Sequence, residues 1–92
     1  MTGAPGEDAG PGDPDVVDAR GLRCPLPVIR LAAAARDRAS GTRLTVWSTD
    51  PAARLDVPAW ARMRGHALVG EQPLPTAPGE QAAWAITVEI AQ

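Results

Sequence analysis

From Asp15 onward, apolar and polar positions recur with two different periods, and the switches between them mark out the elements. Trp84, Ile86, Val88 and Ile90 alternate with Ala85, Thr87 and Glu89, the period-two signature of a strand with one covered face. Arg43 to Ser48 repeats it, with Leu44 and Val46 on one side and Thr45 and Trp47 on the other. Asp15-Val16-Val17-Asp18-Ala19 reads as a short strand and Ala67 to Gln72 as another. Between strands the period changes. Val28, Leu31, Ala32, Ala35 and Ala39 recur at spacings of three and four, with Arg30, Asp37 and Arg38 off the stripe, which predicts a helix from Pro25 to about Ala39, ended by Gly41 in the left-handed conformation. Thr49-Asp50-Pro51 and Asp56-Val57-Pro58 are both helix-start signals, since Asp caps and Pro suits the first helical position. They predict a short turn at 51–55 and then the main second helix from about Val57 to Arg64, stopped by Gly65. Its core face is read as Val57, Trp60, Ala61 and Met63.

The order β-α-β-α-β-β predicts an α+β fold, a two-layer sandwich with both helices on one face of a mixed four-stranded sheet. The opposite face, carrying Thr45, Trp47 and Thr87, is expected to be partly open, with Trp47 either under the N-terminal tail or available to a partner. Residues 1–14 hold four glycines, three prolines and three acids and almost nothing apolar, so they are read as a disordered tail before a domain spanning 15–92. Residues 73–81 form a Pro-rich connection.

Composition narrows the chemistry. Nine arginines and no lysine face eleven acids, and without the acids of the tail the remainder is close to neutral, which argues against direct nucleic-acid contact. One cysteine excludes an internal disulfide, and one histidine leaves too few ligands for a zinc site within the chain. The expected setting is reducing and cytoplasmic, with neither a secretory leader nor a membrane span.

The sole cysteine, Cys24, lies between a strand and a helix, next to Arg20, Arg23 and a Pro25-Leu26-Pro27 helix start. It therefore sits at or next to an N-cap, where the helix dipole and two arginines are expected to favour its thiolate. Buried, inert cysteines are common, but they are expected in the apolar middle of an element. His66 is the only candidate base, and it follows Gly65 at a helix end. Without a second thiol or a nearby base, what remains is a thiol that is itself modified. Asp50 and Asp56 are sufficiently explained as helix caps, and Trp60 as core.

Asp18-x-Arg20-Gly21-Leu22-x-Cys24-Pro25-x-Pro27, followed by Gly41, Thr49-Asp50-Pro51-Ala52, Asp56-Val57-Pro58, Trp60 and Gly65-His66, resembles the TusA/SirA family of small sulfur carriers over about residues 15–72. The resemblance implies the same two-layer sandwich, and a Cys24 that accepts sulfane sulfur as a persulfide within a motif that includes Gly21, Arg23, Pro25 and Pro27. It implies a cysteine desulfurase or rhodanese-like donor and a downstream acceptor protein, in tRNA thiolation, sulfur oxidation or cofactor biosynthesis. Arg20, Leu22, Leu26 and Arg30 are the candidate docking residues. No cofactor and no membrane partner is expected, and the chain is read as a monomer. The alternative is a regulatory interaction module of the same fold with an inert Cys24.

Overall fold

The computed structural model describes residues 12–91. Six elements follow one another: β1 (Val16–Ala19), α1 (Leu26–Ala35), β2 (Arg43–Ser48), α2 (Ala53–Arg64), β3 (Ala67–Pro73) and β4 (Trp84–Glu89). The sheet order is β1-β2-β4-β3. β1 runs parallel to β2, while β4 is antiparallel to both β2 and β3, so the mixed sheet and the α+β class are as expected. The tail reading for residues 1–11 lies outside the described residues. At its inner end Asp13 and Pro14 are held to the domain: the Val16 N–H donates to the Asp13 carbonyl at 3.0 Å, and Arg38 donates to the Pro14 carbonyl and to Asp15.

Strand alternation sorts side chains onto the two faces. Leu44, Val46, Ile86 and Val88 point toward the helices and meet Leu31 and Ala35 of α1 and Ala53, Val57 and Ala61 of α2 in one buried cluster. Burying each Leu, Ile or Val of this cluster stabilises by about 1.5–3 kcal/mol before chain entropy is counted, so the helical layer is fixed mainly by these residues. The other face carries cross-strand pairs, Arg43 with Glu89, Thr45 with Thr87 (Oγ1 to Oγ1 2.7 Å) and Trp47 with Ala85. This face is less open than expected at Trp47, which is only 9% exposed. The Arg20 guanidinium lies 4.8 Å from the centroid of its ring.

Three sequence expectations about the helices are corrected. α1 ends at Ala35 rather than near Ala39, because its last turn tightens into i→i+3 bonds, Arg36 N–H to the Ala33 carbonyl and Arg38 N–H to the Ala35 carbonyl. Gly41 instead sits at the entry to β2, donating to the Ile90 carbonyl at 2.7 Å. α2 is one helix running through Asp56-Val57-Pro58, not a turn followed by a helix. Because it starts earlier, its buried stripe is Ala53, Val57 and Ala61 with Trp60 half-buried, and Met63 is turned out to 82% exposure. Gly65 does end α2, at φ 79°, a left-handed conformation that suits glycine.

Candidate functional site

Because β1 and β2 are parallel and pair Ala19 with Ser48, their C-terminal ends lie side by side, and the loops that follow are neighbours. The first loop, Arg20 to Pro25, carries Cys24; the second, Thr49 to Ala52, leads into α2. Gly21 has φ 84°, which turns the chain out of β1, and the Leu22 N–H then reaches back to the Ala19 carbonyl at 3.2 Å. Two side chains of the second loop hold the first: Thr49 Oγ1 accepts from the Gly21 N–H at 2.9 Å, and Asp50 Oδ2 accepts from the Cys24 N–H at 2.9 Å. The other Asp50 oxygen, Oδ1, accepts from the Ala52 N–H at 2.9 Å.

Cys24 directly precedes the N-cap residue of α1, Pro25, through a cis peptide bond, so the sequence placed it correctly. Its thiol is half-buried against the core cluster, together with Leu22 and Val28. Pro27, the second motif proline, is buried, whereas Pro25 is exposed. The electrostatics run opposite to the expectation of an activated thiol. Burial pushes the Cys24 thiol up to about 11, and the Asp56 and then the Asp50 carboxylates reinforce the shift.

The helix start and the arginines do not offset this, because their donors are already engaged. The Cys24 N–H is engaged by Asp50, the Leu26 N–H donates to the Arg23 carbonyl at 2.9 Å, and Pro25 and Pro27 have no N–H to offer. Arg20 is also drawn away: it is paired with Asp18 through Nε (2.9 Å) and Nη2 (2.8 Å) while lying over Trp47. Arg23 is exposed and helps hold the Asp50 carboxyl below the usual carboxylate range, an effect due first to the two backbone N–H bonds that Asp50 accepts.

Of the other predicted docking residues, Arg30 is exposed on α1 and Leu26 is 44% exposed, but Leu22 packs against the core. Ile29, at 53% exposure, lies on the same helix at i+3 spacing from Leu26, so the two apolar side chains are exposed one turn apart. Two open grooves, of about 410 and 470 Å³, flank the cysteine loop and share Gly21, Thr49 and Gln81. One runs along Arg20 and the 74–83 connection, the other along Leu22, Arg23, Asp50 and Pro51.

His66 is no partner for the thiol. It follows the C-cap of α2, whereas Asp56 lies in the first turn; its Nδ1 accepts from the Ala91 N–H at 3.0 Å, and its ring lies 5.0 Å from that of Trp60. Among the described residues no group of His, Cys, Asp and Glu is arranged to hold a metal ion, and no helix is long and apolar enough to cross a membrane.

Comparison with known proteins gives a concordant result. The family model described as sulfurtransferase TusA matches residues 15–88. The sulfur carrier protein TusA of Pseudomonas paraeruginosa (strain DSM 24068 / PA7) is 46% identical over 57 residues, covering 62% of this chain and 72% of the relative. That of Pseudomonas entomophila (strain L48) is 45% identical over 56 residues, covering 61% and 70%. The crystal structure of a SirA-like protein from Desulfitobacterium hafniense superposes with a TM-score of 0.61 at 26% identity, covering 84% of this chain and 97% of that one. With its α+β sandwich, its Cys24-Pro25-Leu26-Pro27 helix start and a family match across nearly the whole domain, this chain belongs to the TusA sulfurtransferase family.

Proposed function

We propose that this chain is a sulfur carrier that accepts sulfane sulfur on Cys24 as a persulfide and passes it to an acceptor protein. The observation that carries the reading is the position of the chain's only cysteine: half-buried, at the junction of β1 and α1, in a loop flanked by open grooves and far in the fold from the one histidine. The relatives named sulfur carriers supply the direction of the chemistry.

The transfer balances without a resident cofactor. The Cys24 sulfur attacks the outer sulfur of a donor persulfide, forming a new S–S bond as the donor's S–S bond breaks. The electron pair leaves on the donor cysteine, which takes up the proton released from Cys24, and no net oxidation or reduction occurs. Discharge repeats the step, with an acceptor thiolate attacking the outer sulfur. That outer sulfur stands about 2 Å beyond Sγ. The donor is a protein of the cysteine desulfurase or rhodanese type, acting in a reducing, cytoplasmic setting, and the Cys24 face receives donor and acceptor in turn.

The test is a sulfur chase: cysteine labelled with radioactive sulfur, a cysteine desulfurase, this chain and an acceptor thiol. Label should pass through this chain in a form released by dithiothreitol. Equal transfer by Cys24→Ser contradicts the proposal. A second reading, an interaction module with an inert thiol, draws on the protonated, half-buried Cys24; it stands if desulfurase binding persists while the wild type never takes up label.

A further inference from the structure

We infer that Asp50 is a positioning residue for Cys24, its carboxylate fixing the cysteine backbone and placing a negative charge beside the sulfur, with Thr49 as the second clasp on the same loop. The inference rests on the proposed carrier role for its significance, but not for its test. Asp50 and Cys24 are 26 residues apart in sequence and on different loops. An ordinary helix cap bonds the first turn of its own helix; Asp50 is not one, since α2 has no side-chain cap bond and the Asp50 Oδ1 accepts from the N–H of Ala52, the N-cap residue itself. Oδ2 does something else: it takes the N–H of the cysteine on the neighbouring loop.

The aspartate is itself held from beneath. Ser48, the one buried polar residue among those described, accepts from the Asp50 N–H at 3.1 Å and donates to the Asp50 carbonyl at 3.4 Å. With both carboxylate oxygens and the backbone engaged, Asp50 has little freedom to rotate away. Thr49 adds the Gly21 bond at the other end of the loop. The run Ser48-Thr49-Asp50 thus grips the cysteine loop at both ends.

The charge matters as well as the grip. A carboxylate beside a thiol disfavours the thiolate, and Asp56 from α2 acts in the same sense. Arg23 is the cation that faces Asp50. Between encounters the sulfur is therefore held in place and protonated, which slows its reaction with oxidants and electrophiles.

The experiment uses the full chain and a small alkylating reagent, iodoacetamide, with the rate followed by mass across pH and amide hydrogen exchange measured in parallel. Asp50→Asn should lower the pH midpoint of alkylation by a fraction of a unit, and by less than Asp56→Asn, since burial and then Asp56 weigh more on the thiol than Asp50 does. Thr49→Val removes a clasp without changing charge; it should leave the midpoint in place but lower exchange protection at Gly21. Asp50→Ala should lower protection at Cys24, and if that variant does not fold, the Asp50→Asn profile still decides. An unmoved midpoint in a folded Asp50→Asn, or an equal shift in Thr49→Val, overturns the inference. Because no sulfur donor is used, these results stand apart from success or failure of the carrier chemistry.

Discussion

Raising the pH above 9 should destabilise this protein through one side chain. The sequence contains no lysine and no tyrosine, arginine stays protonated past pH 12, and the α-amino group titrates near 8. Cys24 is therefore the only side chain that changes charge between about pH 9 and 12. Its thiol ionises at about 11 in the fold against 9.0 ordinarily. A group whose folded value is raised contributes stability that is fully present below the unfolded value and lost as pH climbs through the folded one. The window is thus pH 9 to 11, and at about 1.36 kcal/mol per pH unit the loss amounts to about 2–3 kcal/mol. With a urea slope of about 1–1.5 kcal/mol per molar, the unfolding midpoint should fall by about 2 M between pH 8.5 and 11.5. Urea titrations of the wild type and of Cys24→Ala at both pH values measure this, each protein compared with itself, so the packing lost in the variant cancels. A wild-type midpoint that holds steady, or a Cys24→Ala midpoint that falls by the same amount, refutes the burial-and-carboxylate account of the thiol.

Other consequences can be checked more briefly. Leu31→Ala, at a fully buried position, should cost about 3–4 kcal/mol in chemical denaturation, whereas Met63→Gln, at 82% exposure, should stay within about 0.5 kcal/mol. Arg23→Glu should slow sulfur acceptance from a desulfurase at low salt, with the deficit shrinking as ionic strength rises and the circular dichroism spectrum unchanged; normal acceptance at low salt would remove Arg23 from the docking surface. Deleting residues 1–11 should leave the thermal midpoint almost unchanged, while a drop of several degrees would mean that the segment packs on the domain.

The strands were the most legible part of this chain, for a physical reason. In β2 and β4 one face meets the helices and the other carries polar pairs, so alternation survives in the sequence as Leu44-Thr45-Val46-Trp47 and Ile86-Thr87-Val88. The helix limits were less so, because start signals compete. Asp56-Val57-Pro58 has the chemistry of a helix start, but the turn at Asp50 begins the helix first, and the Ala53, Val57, Ala61 stripe carries it past Pro58 despite the backbone bond the proline cannot make. That earlier start rotates Met63 away from the core.

At the site, Cys24 and its helix start were readable locally, since the proline pattern is a property of adjacent residues. The state of the thiol was not. It depends first on burial against the core cluster, and then on the carboxylates of Asp56 and Asp50, the latter brought across from a loop 26 residues away by the parallel pairing of β1 with β2. No local pattern records either fact. The Asp18 pairing that takes Arg20 from the thiol lies two residues away, but it is only one of several partners a flexible arginine could choose.

The central claim, that Cys24 carries sulfur, is tested most directly by intact mass after incubation with a cysteine desulfurase, pyridoxal phosphate and cysteine. The account predicts that the wild type gains one sulfur atom, that dithiothreitol removes it, and that Cys24→Ser gains none. A wild type whose mass never changes, or a Cys24→Ser variant that gains the same sulfur, would contradict it.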